Sequence, residues 1–374
     1  MIKKDFKKAL FVLHYSPPIH GASMVGDTIV NSNVIGDRFK SRFIKIKSSN
    51  NLEEIGLFKL NKIWFIVELF FTVFYQLIIF RPHLIYYTAS PNGLAFYRDL
   101  IITLPVKFFC FCFKRKLVFH YHAKGIYSFS SKNQLSKVLT NFFLLKAHII
   151  LISKQMKIEL RGIKGYKSIN FLNNGVKDHL DKRSFTDVNL SRHKSDKIQV
   201  LYLSNMMKEK GYDIVLDLAK YAKETDLKGI KFHFAGGWAT IEDQNYFDTF
   251  VSKYNLDDLV LYHGLVRGEE KKLLFEQANL FIFPSVYAKE VFPLSILEAL
   301  SYGLPIIAFN AGAVSEIISE EIGLLTSKEN LIESFNIIKE KYLNEAVSRK
   351  CRSVYLEKYS LEKFEKSLLE LLEI

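Results

Sequence analysis

Cysteine is scarce: Cys110, Cys112 and Cys351 are the three in a chain of 374 residues. That excludes a disulfide scaffold, and Cys110 and Cys112, one residue apart, are too close for the CxxC spacing of a metal or redox site. They read as small apolar fillers in an aromatic run, and the chain suits a reducing cytoplasm. No signal peptide is expected, because the basic start MIKKDFKKAL leads into a short apolar run, ALFVLH, that breaks at Pro17–Pro18 without a cleavage site. Internal repeats, low-complexity tracts and a glycine-rich phosphate loop are absent as well. Disorder is excluded by composition, with 49% hydrophobic and 24% charged residues. The length suggests two domains, since single cores stop growing near about 250–300 residues.

Acidic residues are few in the first half. Residues 1–190 hold 29 Lys+Arg against 11 Asp+Glu, so 29 − 11 = +18; the remaining 23 and 28 give −5, and the sum is the net +13. An anionic partner is therefore expected for the first half alone. Nucleic acid, anionic lipid headgroups and phosphorylated lipids all qualify by charge. Aromatics crowd the same half, and lysines flank apolar blocks rather than alternating with stacking aromatics. That pattern favours an anionic membrane surface and argues against nucleic acid.

An uninterrupted membrane span is also missing. Ile63–Phe80 (IWFIVELFFTVFYQLIIF) approaches the required length of about 20 apolar residues. Glu68, Thr72 and Gln76 interrupt it at i, i+4 and i+8, on one helix face. A carboxylate near a bilayer centre would cost about 2.5–3.5 kcal/mol. Two readings remain, a buried sheet-covering helix and a helix whose apolar side meets lipid. The second is preferred, because Lys107–Lys116 (KFFCFCFKRK) adds cations beside aromatics.

What is present is alternation. Strand-like runs occur at Ala9–His14, Phe43–Ile46, Leu84–Thr88, Leu117–Tyr121, His148–Ile152 and Ser168–Leu172. A second series occupies Gln199–Ser204, Lys231–Ala235, Val260–His263, Leu280–Pro284, Pro305–Phe309 and Gly323–Thr326. Helical stretches fall between almost all of them, which predicts an α/β fold with parallel sheets covered on both faces. The polar stretch Lys177–Asp196 separates the two series, so two Rossmann-like domains are expected, 1–180 and 197–355. The leucine-rich end, Glu333–Ile374, should be helical, with 356–374 crossing back to the first domain.

The densest chemistry lies in Tyr287–Ile318, YAKEVFPLSILEALSYGLPIIAFNAGAVSEII. A strand ends at Pro284, a loop carries Glu290, and Pro293 suits the first position of a helix. The free N–H groups of that helix start suit a phosphate, and Glu298, a turn further in, can accept ribose hydroxyls. Other motifs recur at strand ends: HGAS (His20–Ser23), HYH (His120–His122), ISK (Ile152–Lys154), NNGV (Asn173–Val176), Lys210–Gly211, Gly236–Gly237 and His263–Gly264. Asp257–Asp258 reads as a turn cap rather than a metal motif, and His120 as structural.

In this order, with Glu290-x7-Glu298, Gly303, Pro305 and Gly312–Glu316, these residues resemble the retaining glycosyltransferases of family 4, which have the GT-B fold. The resemblance covers nearly the whole chain and implies two Rossmann-like domains facing each other across a nucleotide-sugar cleft. It implies that Lys210 stabilises the departing nucleotide diphosphate, that Glu290 faces the donor sugar and that His122 stands beside the donor sugar or the acceptor hydroxyl. Glu298 would bind the ribose, the N–H groups of Phe292 and Leu294 the diphosphate, and Gly21 would let backbone approach the same phosphates. Gly236 and His263 are placed with the nucleotide by the same resemblance. Asn205 stands where an arginine is usual, so the cationic clamp is weakened. The resemblance further implies a nucleotide-sugar donor, UDP by preference, and no cofactor or divalent metal. A lipid-linked glycan acceptor is expected, with the protein peripheral on the inner face of the cell membrane. Two alternatives are a non-transferring GT-B enzyme such as a UDP-sugar 2-epimerase, and a non-catalytic membrane or nucleic-acid binder.

Overall fold

A computed structural model describes residues 6–17, 21–46, 60–194 and 197–373. All twelve apolar runs are strands. The first six are β1 (Lys7–Leu13), β2 (Phe39–Lys45), β3 (Leu84–Thr88), β4 (Lys116–Tyr121), β5 (His148–Leu151) and β6 (Ser168–Phe171). They form one sheet in the order β2-β1-β3-β4-β5-β6, and every pairing is parallel. The second six are β7 (Ile198–Leu203), β8 (Ile230–Ala235), β9 (Val260–Tyr262), β10 (Leu280–Phe283), β11 (Ile306–Phe309) and β12 (Gly323–Thr326). Their order is β12-β11-β10-β7-β8-β9, again all parallel. Both faces of a parallel sheet are covered by crossover helices, so its strands are continuous apolar runs. Accordingly, every residue of β3, β10 and β11 is buried.

The chain divides into two compact units, Met1–Asn174 with Glu362–Ile374, and Gly175–Leu361. The polar stretch expected to separate them is part of the second unit. Lys182–His193 is a helix, capped by Asp181, which accepts from Ser184 N, and it buries Phe185, Asn189 and Arg192. Its burial is made by hydrogen bonding: the Arg192 guanidinium donates to Tyr302 O at 3.0 Å and Phe275 O at 3.2 Å. A buried polar group is tolerated when satisfied in this way, and composition does not announce it.

The carboxyl-terminal region is three helices, Leu331–Lys341, Glu345–Lys358 and Leu361–Glu373. The first two belong to the second unit. In the third, Phe364, Leu368 and Leu372 at i, i+4 and i+8 join the core of the first unit, with Phe11, Tyr86 and Val118. Lys116 Nζ donates to the last turn of this helix, at Leu371 O (2.8 Å) and Leu372 O (3.2 Å). The Leu60–Ile79 helix buries Leu69, Val73 and Leu77 at the same spacing. No helix among the described residues is long and apolar enough to cross a membrane.

Candidate functional site

Topology opens the site. From β7 the chain winds outward through β8 and β9, then returns to β10 on the other side of β7. Loops leaving the carboxyl ends of β7 and β10 therefore diverge, and the crevice between them is the usual ligand position in such sheets. Asn205 to Gly211 follow β7; Ser285 to Pro293 follow β10. The loops are stapled by Val286 N donating to Glu209 O at 2.8 Å. Lys210 Nζ donates to Glu290 Oε2 in an ion pair, and the ammonium lies 4.7 Å from the Tyr287 ring centroid. Glu290 is 9% exposed, so each charge depends on the other.

Gly312 fixes where Glu290 sits. Its φ is +60°, and a Cβ there would lie 2.7 Å from both Glu290 O and Val291 O. Ala313 N closes the contact by donating to Val291 O at 2.8 Å. The chain then enters the Leu294–Ser301 helix. Pro293, expected as its first residue, is instead the cap, with extended backbone at φ −70° and ψ 115°. A proline cap carries no side-chain acceptor, so the first-turn N–H groups receive no cap hydrogen bond. Phe292 just ahead is buried, 6.1 Å from the Tyr359 ring.

Glu298 lies in the second turn of that helix and meets Lys271 Nζ at 2.6 Å. Lys271 comes from the Gly268–Gln277 helix, which follows β9. Sequence reasoning missed it, because EEKK at Glu269–Lys272 looks like a solvated charged turn. The neighbouring Lys272 does behave that way, reaching Glu269 at 3.3 Å across the helix surface. Glu290 and Glu298, eight residues apart, are thus each held by a lysine, Lys210 and Lys271.

The remaining expected residues are placed as follows. Gly236 has φ +152°, and a Cβ would fall 1.8 Å from Ser204 O, so close backbone approach at the end of β7 requires glycine there. Asn205 is exposed, one residue beyond Ser204. His263 Nε2 meets His233 Nδ1 at 2.9 Å, with the rings stacked at 5.2 Å, and His233 Nε2 meets Gln199 Oε1 at 2.6 Å. Burial, with His263 and Lys231 adding repulsion, brings His233 down to about 4. His263 is therefore engaged in an imidazole pair on the sheet, beside a neutral ring.

Gly21 and His122 belong to the first unit. Gly21 opens the Gly21–Val30 helix, and nothing lies within 4 Å of where its Cβ would be. His122 is the residue after β4, its ring 4.1 Å from that of His120. His120 is fully buried and bonded to Tyr86 Oη at 2.5 Å; burial holds its pKa well below the ordinary value. His20 of the HGAS segment lies outside the described residues.

Two six-stranded parallel sheets, each clothed in helices, are the GT-B arrangement. Anabaena HepE, solved in complex with UDP, shares it with a TM-score of 0.70 over 98% of this chain and 99% of that one, at 16% identity. Residues 185–353 match the family described as Glycosyl transferases group 1. An uncharacterised 41.2 kDa protein of the cps region of Klebsiella pneumoniae is 31% identical over 138 residues, 36% of this chain and 34% of that protein. The putative colanic acid biosynthesis glycosyltransferase WcaL of Escherichia coli K12 is 21% identical over 132 residues, 33% of this chain and 30% of that protein. The chain spans about a third of the length of these curated relatives.

Proposed function

We propose that this protein is a retaining glycosyltransferase of family 4 that moves a sugar from a UDP-sugar to a hydroxyl of a lipid-linked glycan, at the inner face of the cell membrane. The observation that carries the reading is the pair of lysine-held carboxylates flanking an uncapped helix start at the switch point of a parallel sheet. The diphosphate would lie against the N–H groups of Phe292 and Leu294, where the helix dipole favours anions. Lys210 would neutralise the charge that grows as the bond from anomeric carbon to phosphate breaks. The acceptor oxygen then takes the vacated bond on the same face, its proton passing to the departing diphosphate oxygen. Catalysis rests on leaving-group stabilisation and positioning, with no divalent ion required. UDP as the carrier is supported by the UDP in HepE, and polysaccharide assembly by the colanic acid assignment of WcaL.

A panel of nucleotide sugars, with and without EDTA, tests the reading. One UDP-sugar should be consumed with release of UDP, equally in EDTA, and NMR of the transferred sugar should show the donor's anomeric configuration. Failure to consume any nucleotide sugar, or inversion, would overturn it. Epimerised donor without transfer would favour the non-transferring alternative.

Lys271 has a distinct expected role. By holding one oxygen of Glu298, it orients the other toward the ribose hydroxyls. That contact is equally strong in ground and transition states, so Lys271→Ala should raise donor KM about tenfold with kcat nearly unchanged. Lys271→Arg should restore the affinity. A fall in kcat larger than the rise in KM would place Lys271 at the reacting centre instead.

A further inference from the structure

We propose that the outer face of the Leu60–Ile79 and Gly93–Phe113 helices, continued at the end of Gln134–Leu144, docks on an anionic lipid bilayer. This deepens the membrane-facing reading above, and its test is separable from the transfer chemistry. In the Gly93–Phe113 helix, Phe96, Ile102, Val106 and Phe109 face the core. The opposite stripe is apolar too: Tyr97, Ile101, Leu104, Phe108 and Phe111, at i, i+4, i+7, i+11 and i+14, are all exposed, Phe108 by 72% and Phe111 by 70%. A helix apolar on both sides belongs inside an apolar environment, and this one has such surroundings on one side alone. The Leu60–Ile79 helix packs against it and repeats the pattern, with Trp64 (70%), Phe71, Tyr75 and Ile78 exposed in one stripe. Phe142 and Leu145 extend the surface, joined to it by Lys107 over Phe142 and Lys146 over Phe111 at 5.0 Å.

Charge selects the occupant. No acidic residue lies between Asp99 and Glu159, where lysines recur, and the exposed side of the two helices carries one carboxylate, Glu68 between Trp64 and Phe71. A second copy of the chain would bring like charges together around the patch. A helical seam between copies is disfavoured further by Pro105 inside the Gly93–Phe113 helix. A bilayer of anionic lipid meets both demands, accepting Trp, Tyr and Phe at its interface and lysines at its headgroups. The cations that serve are not all those that sequence suggested. Lys107 Nζ donates to Phe143 O and Leu145 O, and Lys116 to the carboxyl-terminal helix, so both are committed to helix ends. Lys114 and Lys146 are exposed beside the phenylalanines.

Cosedimentation with vesicles of phosphatidylcholine, with or without phosphatidylglycerol, at low and high salt, tests this on the full chain. The wild type should pellet with the anionic vesicles, weaken in high salt and keep a salt-resistant remainder. Lys114→Glu with Lys146→Glu should lower low-salt binding by about tenfold or more, and Phe108→Ser with Phe111→Ser should abolish the salt-resistant part. All four side chains lie outside the core, so thermal midpoints and donor hydrolysis should be unchanged, and that control excludes misfolding. A hydrolysing wild type that stays in the supernatant overturns the docking face and leaves the enzymatic reading standing. Vesicle binding without hydrolysis of any nucleotide sugar does the reverse. A concentration-dependent dimer that the phenylalanine changes dissolve, without vesicle binding, also overturns the proposal.

Discussion

Lys210→Ala is expected to lower kcat about 10²–10³-fold at saturating donor, the usual cost of removing one preorganised group from developing negative charge. Little else is placed to compensate. Asn205, where the family resemblance leads one to expect arginine, presents an exposed neutral amide. Lys210 is itself committed to Glu290 before any donor arrives. A diphosphate must therefore draw the ammonium away from a carboxylate that is 9% exposed, where the pair is weakly screened. Glu290→Gln removes that competitor and should tighten UDP binding several-fold while slowing turnover. Initial rates over a donor series, with UDP titrations on the same variants, separate the two effects. A Lys210→Ala enzyme within about threefold of wild-type turnover would sink the leaving-group role.

Much of the sheets was legible because strands covered on both faces, such as β3, β10 and β11, are apolar and buried along their whole length. Glu290, Glu298 and Lys210 were singled out through the family resemblance rather than by local pattern, and the fold brings Lys210 to Glu290 and Glu298 to Lys271. Lys271 was not singled out. Its neighbours in sequence are surface charges, and only the fold brings its ammonium to Glu298. The same limit hid the roles of Lys107 and Lys116, whose partners are carbonyls 36 to 256 residues away. It also hid the Lys182–His193 helix, whose inward face includes an asparagine and an arginine. In each case the missing information is a partner distant in sequence, chosen by packing rather than by local preference.

Arg352→Met is expected to destabilise the second unit by about 3–5 kcal/mol, because it leaves a carboxylate and buried carbonyls without their donor. Arg352 is 6% exposed. Its guanidinium forks onto Asp178, Nη1 to Oδ1 at 2.8 Å and Nη2 to Oδ2 at 2.6 Å, and also donates to Ser301 O and Leu180 O. These bonds tie the segment after NNGV to the Glu345–Lys358 helix and to the end of the helix that carries Glu298. For a body of this size, roughly 2–4 °C per kcal/mol predicts a thermal midpoint lower by roughly 6–20 °C. Arg352→Lys should recover only part of the loss, since an ammonium cannot reproduce the planar fork. Asp178→Asn should cost less, because that carboxylate is a third exposed and water can replace part of its contact. The two changes together should cost less than their sum, as expected for partners in one network. Calorimetry of the four proteins measures the cycle. Strict additivity, or an Arg352→Met midpoint within about 2 °C of wild type, would mean that the network is not what holds this segment to the second unit.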